Sequence, residues 1–191
     1  RDSYDSYGKP FIIVIRYNNS GIADEIDSVT GLYTEAVLVK NIEDYVTNRR
    51  QSALMKIGLD QFSHINVMYG AAFSDKILNC VAQSLIHVLN DAGFVYRLSG
   101  AKFVITFDNI SRDEIHNIYN KITDTLSNTI EVEGKRIPLK TSAGAIFIEP
   151  YMKETNAIRS RLTYALNHSR DEHHGEPVSY THLTLPTKLE V

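Results

Sequence analysis

The chain has 191 residues, 43% apolar and 23% charged, enough for one globular domain with a real core. A formal net charge of −3 argues against a general nucleic-acid binder, which would carry a basic excess. The single cysteine, Cys80, excludes an internal disulfide and fits a reducing compartment, so a cytoplasmic location is expected. The longest apolar run, residues 11–15, is too short to cross a bilayer, and nothing resembles a signal peptide. The chain opens on Arg1 rather than Met and is read as a piece of a longer protein, whose other parts would carry any membrane anchor.

Residues 1–23 read as one strand, Phe11–Ile15, and a polar linker, Tyr17–Gly21. They are taken as the end of an upstream module, such as a sensor, with a strand of the main domain as the alternative. The main domain is drawn over residues 24–177 and opens at Asp27-Ser28-Val29-Thr30-Gly31-Leu32. Ser28 or Thr34 would cap a helix whose apolar positions are Val37, Leu38, Ile42, Tyr45 and Val46. Ala53–Leu59 reads as a strand. Asp60 is expected to cap a short helix bearing Phe62, Ile65 and Tyr69, which Gly70 closes. Phe73, Ile77, Leu78, Val81, Leu85 and Leu89 mark a long amphipathic helix, with Cys80 beside its apolar side as a buried, inert thiol.

Two apolar runs follow, Phe94–Leu98 and Phe103–Phe107, separated by a glycine-bearing tip. They predict a β-hairpin. Ile115, Ile118, Tyr119, Ile122 and Leu126 give a further helix, Ile130–Val132 a small strand before Glu133-Gly134, and Leu139–Phe147 an alternating strand. Ile158, Leu162, Ala165 and Leu166 mark the last helix. The order implies an α+β fold, a mainly antiparallel central sheet covered by helices. His168, His173 and His174 gather near the last helix end with Asp171 and Glu172; their spacing is not a standard metal-ligand pattern, and a solvated helix terminus is expected. Residues 178–191 lack a helical period and resemble translated adaptor sequence, with a genuine linker or terminal strand as the alternative.

Four segments carry a family resemblance in order: Asp27-x-Val29-Thr30-Gly31-Leu32, Gly58-Leu59-Asp60-Gln61-Phe62-Ser63-His64-Ile65-Asn66, Tyr69-Gly70-Ala71-Ala72-Phe73-Ser74-Asp75, and Arg97-Leu98-Ser99-Gly100-Ala101-Lys102-Phe103. They resemble D-x-L-T-G-L, D-I-D-x-F-K-x-I-N, Y-G-H-x-x-G-D and R-x-G-G-D-E-F of the GGDEF family of diguanylate cyclases. The resemblance implies the nucleotidyl-cyclase, palm-like fold of that family, and a place in bacterial cyclic di-guanylate signalling.

Joining two GTP molecules requires a 3′ hydroxyl to attack an α-phosphate, with divalent cations bridging the triphosphate. Magnesium favours hard oxygen ligands, chiefly carboxylates. The family's metal-binding acids fall on Gly58 and Ala101, and a further acid important to the chemistry falls on Lys102. No catalytic or metal-binding side chain is therefore expected at Gly58, Ala101 or Lys102, and no cofactor is required, with magnesium binding weak at most. By the same resemblance Asn66 and Asp75 would read a guanine edge, as an amide and a carboxylate can. The alternative places Asn66 in a helix turn and Asp75 at a helix start. The backbone of Phe62 and Ser63 would cradle phosphates, although the family's basic residue is here Ser63. Arg170 stands where the family offers a phosphate-binding lysine; a solvated helix-end arginine is the alternative. Arg97 is expected in an ion pair. The family's product-binding R-x-x-D falls on Asn90-Asp91-Ala92-Gly93, so tight product binding is not expected.

The expected function is thus a catalytically inactive regulatory domain that senses GTP, between an upstream sensor and a downstream EAL-type phosphodiesterase, with homodimerisation open. The alternatives are an active diguanylate cyclase and a dimerisation or interaction module that binds no nucleotide.

Overall fold

The computed structural model describes residues 25–49, 51–128, 130–149, 151–172 and 178–179. The strand expected at Phe11–Ile15, together with His173, His174 and the tail from residue 180, lies outside the described residues. The opening motif folds into a turn. Asp27 Oδ1 accepts from the Thr30 amide at 2.9 Å and from the Thr30 hydroxyl at 2.6 Å, and Gly31 takes the positive φ of +71° that leads Leu32 into the core. β1 (Tyr33–Thr34) runs straight into α1 (Glu35–Asn48), at whose N-terminus Thr34 stands without a side-chain cap bond.

β2 (Ser52–Leu59) is buried along its whole length. It leads to α2 (Phe62–Tyr69) and α3 (Ala71–Leu89), joined at Gly70 with φ +82°. The hairpin of β3 (Phe94–Leu98) and β4 (Lys102–Asp108) precedes α4 (Arg112–Asn128). α4 is opened by a capping box: Glu114 accepts from the Ser111 amide at 2.9 Å, and the Ser111 hydroxyl accepts from the Glu114 amide at 3.3 Å. A small hairpin, β5 (Glu131–Val132) and β6 (Lys135–Arg136), leads to β7 (Thr141–Ile148), α5 (Thr155–Glu172) and β8 (Val178–Ser179). β8 comprises the first two residues of the segment set apart as a tail.

The main sheet has the order β1-β3-β4-β2-β7-β8. Its centre is antiparallel, with Ile57 opposite Phe103 on one side and Ala143 on the other. The short outer strands β1 and β8 pair in parallel with β3 and β7. Alternation along the strands sends side chains to two cores. Met55, Ile57, Phe103, Ile105 and Ala143 meet α3 and α4 through residues such as Ile77, Val81, Leu85, Tyr119 and Ile122. Leu54, Val104 and Ile146 meet α1 and α5 through Leu38, Ile42, Ile158, Leu162 and Ala165. The α+β expectation holds, and the helices cover both faces of the sheet. Each large apolar side chain so buried contributes roughly 1.5–3 kcal/mol, which fixes the strand register against a one-residue slip.

Gly144 on β7 lets α5 approach the sheet: a Cβ there would stand 2.3 Å from the Ala165 carbonyl carbon and 2.3 Å from the Leu166 nitrogen. Because these are backbone atoms, the helix itself must move. Gly144→Ala is expected to cost about 1–3 kcal/mol of stability. Circular dichroism on heating should show the melting temperature falling by roughly 2–4 °C for each kcal/mol lost.

Candidate functional site

β2 ends between the hairpin tip and the start of β7. The Leu59 amide donates to the Ala101 carbonyl at 2.9 Å, and the Asp60 amide to the Lys140 carbonyl at 2.9 Å. Gln61 then takes a left-handed conformation, φ +55°, and turns the chain into α2. Because Gln61 occupies the N-cap position, Asp60 does not cap the helix as expected. Its carboxylate turns to partners far along the chain. Oδ1 accepts from Arg170 Nε at 3.1 Å and Oδ2 accepts from the Ser142 hydroxyl at 2.8 Å.

Arg170 is therefore not a solvated helix-end residue; it is half-buried and paired. It reaches from α5 over Gly58, and a Cβ built on Gly58 would meet Arg170 Nη2 at 2.1 Å. The guanidinium takes the space in which any side chain at position 58 would begin. Lys102 lies opposite Gly58 across the β2–β4 ladder, so its side chain leaves the same face of the sheet. Ser142 lies opposite Gly58 on the other side. Gly58, Lys102 and Arg170 are thus brought together at one strand end, with Asp60 as the adjoining carboxylate. Ala101 packs its methyl group against the larger core.

The hairpin tip has its own support. Leu98 pairs with Lys102, leaving Ser99-Gly100-Ala101 as a three-residue loop with Gly100 at φ +68°. Arg97 does not form the expected ion pair; its guanidinium donates to the carbonyls of Leu98 and Gly100, and to that of Lys102 at 3.0 Å. It also lies over the Phe103 ring, 5.0 Å from the centroid. Burial lowers its pKa from the usual arginine value, while the charges of Asp27 and Asp75 pull the other way.

Asn66 and Asp75 lie on α2 and α3 with exposed side chains. The Asn66 carbonyl accepts from the Gly70 amide at 3.0 Å, so its backbone helps end α2 while its amide group faces solvent. Asp75 lies beyond the first turn of a helix that begins at Ala71, so it does not start that helix. Phe62 is buried in the larger core and Ser63 is exposed at the start of α2, where first-turn amides have no partner within the helix. Asn90 and Asp91 both take positive φ, 42° and 71°, in the turn leading to β3. Half-buried Cys80 packs against the core, and His168 meets Tyr164 edge-on at 5.9 Å. Among the described residues no group of three or more His, Cys, Asp or Glu side chains forms a metal cluster.

Beside the strand end, a groove of about 570 Å³ runs between α1 and α5 over Lys56, Leu98 and Val104. Sequence reasoning missed it, because Lys56 reads as one polar break in an apolar strand. Its ammonium group donates to Thr163 Oγ1 at 2.8 Å. Glu35 and Arg159 form an ion pair at the same groove. Burial and the nearby charge of Lys102 lower the Lys56 pKa, with Glu35 acting in the opposite sense.

A family model for the diguanylate cyclase GGDEF domain matches residues 24–175. The chain belongs to the GGDEF family. Among curated relatives, this GGDEF domain is 28% identical over 153 residues to diguanylate cyclase DgcN of Escherichia coli, covering 76% of this chain and 38% of that protein. It is 26% identical over 128 residues to diguanylate cyclase DgcP of Pseudomonas aeruginosa, covering 64% of this chain and 19% of that protein. The chain thus spans well under half the length of both. The coiled-coil and GGDEF structure of DgcB from Caulobacter crescentus, in complex with c-di-GMP, superposes with a TM-score of 0.73 at 16% identity, over 82% of this chain and 85% of that one, a likeness of fold. No helix among the described residues is long and apolar enough to cross a membrane.

The Lys56 shift gives a pH prediction. In the unfolded chain the amine keeps its ordinary value of 10.5, and in the folded chain it sits lower. Protonated Lys56 therefore opposes folding at neutral pH. That opposition fades as the pH climbs from the lowered value toward 10.5. Lys56→Met is expected to raise the melting temperature at pH 7, with the gain shrinking as the pH approaches 10.5; a gain constant with pH would assign the effect to packing instead.

Proposed function

We propose that this GGDEF domain makes no cyclic di-GMP and acts as a GTP-responsive regulatory domain within a longer bacterial signalling protein. The observation that carries the proposal is the Arg170 guanidinium over Gly58, with Lys102 on the neighbouring strand. A two-cation transfer needs carboxylates at this strand end. Here Asp60, the adjoining carboxylate among the described residues, is already held by Arg170 and Ser142. The donor set does not suit magnesium.

Nucleotide recognition rests on other groups. Asn66 and Asp75 present an exposed amide and an exposed carboxylate, which match the hydrogen-bonding edge of guanine. The first-turn amides of Phe62 and Ser63, with Arg170, offer donors to phosphate oxygens. A nucleotide held here regulates a partner domain only if the two states of the protein bind it with different affinity. The upstream sensor, an EAL-type output domain and a homodimer are the arrangements in which such coupling would operate, at a cytoplasmic location.

An active cyclase is the reading that the names of the relatives favour, and one assay separates the two. Purified domain incubated with GTP and magnesium is expected to yield no cyclic di-GMP by chromatography. Product formed at a rate proportional to protein concentration would establish the cyclase. Calorimetry with GTP is expected to give saturable binding. The double substitution Asn66→Ala, Asp75→Ala should weaken it by at least about tenfold, since an unpaired polar edge costs about 1–3 kcal/mol. No binding by the wild-type domain would favour the nucleotide-free interaction module.

A further inference from the structure

We infer that the guanidinium of Arg170 stands in place of a divalent cation at the end of β2, so that this domain binds a polyphosphate without metal; the inference builds on the nucleotide-binding reading above.

Three observations converge on it. Arg170 Nη2 lies 2.1 Å from the point where a Cβ of residue 58 would stand, so glycine is what admits the guanidinium so close to the strand. The side chain is anchored there, because Nε donates to Asp60 at 3.1 Å and Asp60 is in turn fixed by Ser142 at 2.8 Å. Nε is thereby committed, while the two terminal NH2 groups keep donors for a ligand. Third, the surroundings are cationic. Lys102 leaves the same face beside Gly58 and has no ion-pair partner among the described residues. The charges of Lys102, Arg159 and Arg170 all act against protonation of Lys56.

A planar guanidinium donates directly to phosphate oxygens, frequently two at once, and needs no bridging ion. A metal–polyphosphate complex carries less negative charge than the free anion, and it would bring a second cation against Arg170 and Lys102. Coulomb repulsion at this strand end therefore favours the free anion. The inference covers the phosphate-binding part of the site and is indifferent to which base is attached.

The test is calorimetric titration of the wild-type domain with inorganic tripolyphosphate, once in EDTA and once in excess magnesium. Saturable binding is expected in EDTA, and magnesium should leave the affinity unchanged or weaken it, by about threefold or more when it sequesters the anion. Binding seen only with magnesium would overturn the inference, as would no binding in either buffer. The same titration with GTP in EDTA isolates the base-reading argument. GTP no tighter than tripolyphosphate would remove the role of Asn66 and Asp75 and leave the metal-free site standing. Arg170→Met should weaken tripolyphosphate by about tenfold or more, with Arg170→Lys between the two. Should Arg170→Met fail to fold, the wild-type comparison and Lys102→Met still decide the matter. Lys102→Met is expected to weaken binding in EDTA several-fold less than the loss of Arg170, and an unchanged affinity in both Lys102→Met and Arg170→Lys would count against the site.

Discussion

The complete burial of β2 is the constraint from which the rest of the structure follows. A strand with neighbours on both edges and helices on both faces has its backbone donors and acceptors satisfied by β4 and β7. Its side chains have to be apolar, small or individually compensated. Lys56 is compensated by Thr163, and Gly58 by the incoming Arg170. Such a strand meets a ligand only where it ends. The chain there leaves the sheet, Gln61 turns it into α2, and α5 and the hairpin tip close in from either side.

The electrostatic character of that end follows from which side chains the topology delivers. β4 brings Lys102 beside Gly58, β7 brings Ser142, and α5 brings Arg170. Asp60 is the acid among them, and its hydrogen bonds hold the arginine in place rather than leaving a free carboxylate edge. The strand end consequently gathers positive charge and hydrogen-bond donors around one engaged carboxylate, and on this pattern the proposed metal-free anion site rests.

Much of this was legible in the sequence. The runs Phe94–Leu98 and Phe103–Phe107 around a glycine specify a hairpin, and it forms with Leu98 opposite Lys102. The period of Ile77, Val81 and Leu85, and that of Ile115, Tyr119 and Ile122, place α3 and α4 correctly because these residues all enter one core. The absence of acids at Gly58 and Ala101 could be read directly. What replaces them could not, since Arg170 is far along the chain and only the fold brings it to Gly58. Asp60 misled for the same reason: an acid before a helix reads as a cap, but a partner more than a hundred residues away took it. β1 escaped notice because two residues carry no alternation. The Ser111–Glu114 box stands in the sequence as S-x-x-E, the spacing of a helix start.

The arginine at the base of the hairpin has a consequence for how such a site can change. Arg97 grips carbonyl groups of Leu98, Gly100 and Lys102, and carbonyl groups are the same whatever side chain accompanies them. The bend therefore keeps its outline while the residues decorating it are exchanged, with only the glycine's backbone freedom held constant. A scaffold tethered in this way can shed one chemistry and take up another without first coming apart.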